Sequence, residues 1–189
     1  MRPALLTLML CLPAPAAADA WCEHLWITRN AFFHRAGHCF GSVLGQELFG
    51  NAGCKGNAPA LAPDDAEAVA HLRWMEGEHG CRVATNRAPS SRMRAEAARI
   101  AALRDIPVAD IHGWACHGYR GPGIALRSGA SDDAPVTGQV TAGQTMGSEH
   151  QFRGDWMFAT VSSGPGTPRL AEGWTRQRVQ PGECEQEAG

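Results

Sequence analysis

Tyr119-Arg-Gly-Pro-Gly-Ile-Ala-Leu-Arg-Ser-Gly129 is where the chain changes character. Before Tyr119 the apolar residues recur at helical steps; beyond the Gly121-Pro122-Gly123 break they come in short runs. Those runs are Ile124–Leu126, Val136–Val140, Thr145–Met146 and Trp156–Val161, separated by Gly, Ser, Asp and Pro. Short strands reversed by frequent turns are the pattern of a small β-barrel. The stretch therefore predicts an α+β chain, a helical N-terminal unit followed by a small barrel, with the boundary near residues 117–123.

Upstream, Cys22, Leu25, Trp26, Arg29, Phe32 and Phe33 are spaced by three and four, so Trp21–Gly37 reads as a helix with Gly37 at its C-cap. Phe40, Leu44, Leu48 and Phe49 continue an apolar series across glycine-rich breaks, and residues 51–53 turn the chain. A second helix opens at Asp64, with Glu67 three positions on and Pro63 just before. Val69, Leu72 and Met75, with Trp74, give its buried face, and Gly80 ends it. A third helix runs from about Ser91 to Leu103. Met93, Ala97, Ile100 and Leu103 line one side of it, Arg92 faces Glu96 on the surface, and Pro107 stops it.

The chain has 189 residues, with 17 basic against 19 acidic side chains. That balance excludes a general electrostatic grip on nucleic acid, which needs clustered excess base. At the N-terminus Arg2 precedes the apolar run Ala4–Leu12, Pro13 and Pro15 break it, and small residues follow. Residues 1–18 thus read as a signal peptide cleaved after Ala18 or Ala20. The run is far short of the roughly 20 residues a membrane helix needs, so no stable membrane insertion is expected. The mature protein is expected in the periplasm or secreted. Cleavage removes Cys11 and leaves Cys22, Cys39, Cys54, Cys81, Cys116 and Cys184, an even number in an oxidising compartment. Three disulfides are expected. His34 and His38 beside Cys39 are the rival metal reading, but no C-x-x-C pair supports it, so neither metal nor cofactor is expected. Antiparallel packing of the first two long helices would join Cys22 to Cys81, and Cys39–Cys54 would close the glycine-rich connection.

Two resemblances attach to these residues. The stretch Leu25-Trp-Ile-Thr-Arg-Asn-Ala-Phe-Phe-His-Arg-Ala-Gly-His-Cys-Phe40 resembles the YARHG domain of exported bacterial proteins. Arg29-Asn30, Arg35, Gly37 and Phe40 match that pattern, whereas Phe33 replaces its tyrosine and Ala36 its histidine. The following Gly45–Cys54 looks like a continuation seen in uncharacterised alphaproteobacterial exported proteins. The second half resembles a bacterial SH3-like domain of the cell-wall type, through Ile124-Ala-Leu-Arg-Ser-Gly129, Pro135–Val140, Ala142–Met146, Gly154-Asp-Trp-Met-Phe158 and Glu172-Gly-Trp-Thr175. These likenesses imply a helical unit over residues 19–117, an SH3-like barrel over 118–184 and a tail over 185–189. The two ends of such a barrel emerge close together, which implies a Cys116–Cys184 bridge and a module, from about 116 to 184, that folds alone.

Candidate sites are few. Ser148-Glu149-His150 is a tempting triplet, but neighbours on a strand point apart. No serine sits in a nucleophile elbow, and pairing consumes the cysteines, so no catalytic residue is expected. Asp132-Asp133 reads as a solvated turn, and Trp156, Phe158 and Trp174 as barrel core. His34 and Arg35 could hold an anionic group, although Arg35 and Asn30 equally suit hydrogen bonds to loop carbonyls. Arg127 and Arg153, beside the loops Ser128–Asp133 and Gln151–Gly154, are the remaining binding candidates. The expectation is a non-enzymatic envelope protein whose SH3-like module binds peptidoglycan or a protein partner. The alternatives are an enzyme accessory subunit, an inhibitor or, less favoured, a hydrolase.

Overall fold

A computed structural model describes residues 16–189, with side chains from Ala20 onward. The expected signal segment lies outside the described residues, except Ala16–Ala18 at the start of the first helix. Four helices come first: α1 (Ala16–Ala36), α2 (Val43–Phe49), α3 (Pro63–Glu78) and α4 (Ser91–Ala102). Each start has a local cause. Pro63 and two aspartates open α3, Ser42 Oγ accepts the amide of Gly45 at α2, and Ser90 Oγ accepts that of Met93 at α4. The α2 helix occupies the stretch that read as broken by glycine. Gly45 is there because the ring of Phe40 lies against it: a Cβ would fall 2.6 Å from Phe40 Cδ1.

The helices bury Leu25, Ile27, Phe32, Leu72, Met75, Met93 and Ile100 in one core. Full burial of each such side chain is worth roughly 2 kcal/mol against leaving it in water. Two expectations on these helices are corrected. Trp74 lies 47% exposed, because it stands one residue, some 100° of helix rotation, away from the inward-facing Met75. Arg92 does not pair with Glu96. It crosses to Glu23 on α1 at 2.5 Å, while Glu96 bonds His24 and Arg99, because α4 runs beside α1 and carboxylates and bases meet across the two helices.

Seven strands follow: β1 (Ala109–His117), β2 (Ile124–Arg127), β3 (Val136–Val140), β4 (Thr145–His150), β5 (Met157–Ser162), β6 (Arg169–Thr175) and β7 (Gln186–Ala188). They form one antiparallel sheet in the order β3-β2-β6-β5-β4-β1-β7. Strands β2 to β6 hold the runs seen in the sequence, but the sheet is open where a closed barrel was expected. Closure would require β3 to reach the free side of β4, and β1 already pairs there through Trp114–Ser148, Ala115–Gly147 and Cys116–Met146. Neither β1 nor β7 falls within residues 118–184. A fragment from 116 to 184 lacks most of β1 and all of β7, so the sheet is not self-contained within those bounds. A second core of Tyr119, Leu126, Val140, Met146 and Val161 lies on the sheet.

The helical unit and the sheet are docked through residues 103–108. Leu103 packs with Phe158 and Trp174, and the indole Nε1 of Trp174 donates to Asp105 O at 3.0 Å. Ser128 O accepts the amides of Arg104 and Asp105, and Gln151 N donates to Val108 O. Three disulfides join the expected pairs: Cys22–Cys81, Cys39–Cys54 and Cys116–Cys184. Among the described residues, no helix is long and apolar enough to cross a membrane.

Candidate functional site

A cleft of about 260 Å³ opens between α1 and α4 on one side and strands β4, β5 and β6 on the other. The first helix contributes Trp21, Glu23 and His24 from its N-terminal part, which Cys22–Cys81 ties beside the end of α3 and where His24 meets His150 of the sheet. Helix α4 contributes Arg92, Met93 and Glu96, which lie one turn apart and so share a face. The sheet contributes Glu149, His150, Thr160 and Arg169.

A chain of charge-assisted hydrogen bonds forms the back of the cleft and ties its two walls. His24 Nδ1 lies 2.7 Å from Glu96 Oε1, and Arg99 Nε donates to Glu96 Oε2 at 2.9 Å. Arg99 Nη1 donates to Glu172 Oε1 at 2.6 Å, and Arg169 Nη1 to Glu172 Oε2 at 2.7 Å. Burial alone would raise the Glu96 pKa. The hydrogen bonds from His24 and Arg99 outweigh it and hold the carboxyl well below its ordinary range. Burial likewise works against the Arg99 cation, yet its two carboxylate partners leave its pKa raised. An ionised Glu96 can only accept, so His24 Nδ1 carries the proton of that hydrogen bond. The same logic fixes an imidazole tautomer in carboxylate–histidine pairs generally.

His150 stands opposite, its ring 6.5 Å from that of His24 and 4.9 Å from that of Phe158. Burial, reinforced by His24, Arg99 and Arg169, lowers its pKa to about 3, so it is neutral near pH 7. Its Nδ1 is buried without a hydrogen-bond partner, as is Nε1 of Trp21. Three such side-chain atoms occur among the described residues, and two belong to this cleft. Buried polar atoms are nearly always satisfied, so orphans gathered with perturbed titratable groups mark a functional site.

Of the residues singled out from sequence as candidate sites, Glu149 and His150 line the cleft and the others lie elsewhere. His34 sits on the outer side of α1, 5.6 Å ring to ring from Phe49. Arg35 donates to the carbonyls of Arg104 at 2.8 Å, Leu103 at 2.6 Å and Ile100 at 3.3 Å, closing the C-terminal end of α4. That is the structural role weighed for it, whereas Asn30 donates instead to Trp26 O within its own helix. Arg127 is held by Ala134 O and Arg153 by Asp105, so both are engaged and neither lines the cleft. The Ser148-Glu149-His150 triplet divides: Ser148 is buried, and only Glu149 and His150 reach the cleft. No group of three or more metal-ligating side chains occurs among the described residues. The His24–Glu96 pair escaped sequence reading because its members lie 72 positions apart. The available signals were Glu149-His150 of the triplet and the charged series Arg92, Glu96 and Arg99 flanking the apolar face of α4.

Residues 80–189 match the family described as a domain of unknown function, DUF4453, and residues 4–76 match the YARHG domain. No curated protein and no solved structure matches the chain. The first match covers α4 and the whole sheet; the second covers α1 to α3. The cleft lies on their seam, with Trp21 and His24 from one segment and Glu96, Glu149, His150 and Arg169 from the other.

Proposed function

The chain belongs to the DUF4453 family, and from that premise we propose that it is an exported, non-enzymatic binding protein of the bacterial envelope. Its ligand is a component of peptidoglycan or of a protein partner, and the binding site is the cleft between helices and sheet. Three disulfides and the YARHG domain point to export, and cleavage of residues 1–18 would deliver the chain to an oxidising compartment. Strands β2 to β6 would be an SH3-like module of the cell-wall type, held open by β1.

The observation that carries this reading is the cleft itself, a preformed concavity of mixed apolar and polar lining with two orphaned buried polar atoms and a built network behind it. Binding is favoured over catalysis because, among the described residues, no hydroxyl or thiol of the cleft is paired with a base. The cleft's hydroxyl residue, Thr160, donates to Gly147 O at 3.3 Å, and all six cysteines after Ala20 are in disulfides. The test is co-sedimentation of the oxidised protein with purified sacculi. The protein should pellet with the wall, and Ala20→Trp, which fills the cleft from α1, should leave it in the supernatant. Equal pelleting of both proteins would move the site elsewhere, and failure of the wild type to pellet would remove peptidoglycan as the ligand.

A further inference from the structure

The charges around the cleft can be traced one by one. Glu23 meets Arg87 at 3.2 Å and Arg92 at 2.5 Å, Glu96 meets Arg99, and Glu172 meets Arg99 and Arg169. Each of those four arginines thus faces a carboxylate. Glu149 has neither an ion pair nor a side-chain hydrogen bond among the described residues, so it is the cleft carboxylate left without a partner.

Glu149 is also placed by an irregularity in the sheet. Ala109 pairs with His150 and Trp114 with Ser148, so Asp110–Gly113 of β1 bulge opposite Glu149 alone. Bulges of this kind re-aim a side chain. Gly113 lies beneath the Glu149 stem, where an added Cβ would come within 3.3 Å of Glu149 Cγ. The indole of Trp21, stacked on His24 at 5.5 Å and 25°, lines the same cleft and supplies an aromatic wall. A carboxylate without a partner and an aromatic wall suit one kind of ligand group, a cation that donates hydrogen bonds.

Resting on the cleft as the binding site, we propose that it recognises the primary ammonium of a short peptide, with Glu149 as counter-ion and Trp21 as the aromatic wall beside the cation. Such an amine is what a diamino-acid side chain in a cell-wall peptide would present. Each of the cleft's arginines already faces a carboxylate, so none is free to fork an anionic group instead.

The experiment is an NMR titration of the full mature, oxidised, 15N-labelled protein. The probe is Nα-acetyl-lysine amide, against its Nε-acetylated counterpart and against acetate. The charged amine should shift the Trp21 indole N–H and the amides of Glu149 and His150, and the two controls should not. Glu149→Gln at this exposed position should keep the spectrum of a folded protein and weaken the amine about tenfold or more, the loss expected for a charge-assisted contact. Glu185→Gln, on a carboxylate paired with Arg120 away from the cleft, should bind as the wild type does. Equal shifts with the Nε-acetylated probe, binding of acetate, or full affinity in Glu149→Gln would each overturn the proposal. Sedimentation separates the two levels of the argument. A protein that pellets with sacculi but ignores the lysine probe defeats the amine assignment alone. One that takes the amine but leaves sacculi in the supernatant defeats the peptidoglycan reading alone.

Discussion

Replacing Arg99 with methionine tests the junction on which the cleft depends. Arg99 stands between Glu96 and Glu172, and the side chains of the three are 19%, 21% and 10% exposed. Methionine keeps the apolar stem and removes the charge, which leaves two partly buried carboxylates without their shared cation. Breaking a buried pair by removing one partner costs about 3–5 kcal/mol; His24 still faces Glu96 and Arg169 still faces Glu172, so about 2–3 kcal/mol is expected at pH 7. The assay is urea unfolding followed by tryptophan fluorescence, comparing midpoints at equal m. The deficit should also depend on pH with a definite sign. In the wild type the Glu96 pKa is depressed in the folded state, so its contribution is present above the ordinary carboxyl value and is lost as pH falls toward the depressed one. Without Arg99 only His24 opposes burial, so the folded Glu96 is held down less and acid costs the variant less. The difference between the two proteins should therefore shrink steadily as pH falls below the ordinary carboxyl value. A deficit under about 0.5 kcal/mol at pH 7, the scale of an exposed pair, or one unchanged on acidification, would refute the reasoning.

Three further outcomes are expected. Cys116→Ala with Cys184→Ala opens a loop of 68 residues, for which loop entropy assigns about 4 kcal/mol; thermal unfolding should show a large drop, and a Tm within two degrees of wild type would contradict it. Arg35→Met leaves three carbonyls at the end of α4 without their guanidinium and should cost about 1–3 kcal/mol by urea unfolding, with no effect on cleft binding. The His150 ring should remain neutral to about pH 3 by NMR; because the unfolded chain takes a proton near pH 6.5 that the folded one refuses, stability should fall as pH drops through that window, and His150→Phe should remove that part of the fall.

Much of the fold could be read from residue order because its determinants are local. The helices α1, α3 and α4 show apolar residues at three- and four-residue steps between capping groups, and β2, β3 and β5 are short apolar runs between turns. The disulfide partners follow from which element ends meet. The elements that escaped have contradictory local signals. Gly45 reads as a break in α2 but serves the contact with Phe40. The β1 strand loses its alternation over Asp110–Gly113, where it bulges, and β7 is a polar, exposed Gln-Glu-Ala that holds its place only by pairing with β1 next to the Cys184 bridge. The site was the least legible part. His24, Glu96, Glu149 and Arg169 come from four separate elements, and each alone looks like an ordinary surface residue. Arg35 and Arg153 carry the recognisable chemistry of anion binders, but tertiary packing spends them on carbonyls and on Asp105.

The central claim is that the ligand enters between the helices and the sheet rather than at the loops of the sheet. Hydrogen–deuterium exchange of the oxidised protein with and without soluble peptidoglycan fragments, prepared by digesting sacculi, tests it most directly. The account predicts slower exchange in residues 20–27 and 145–150, with residues 128–133 unchanged. Protection confined to residues 128–133, with the cleft segments exchanging as they do in the free protein, would contradict it.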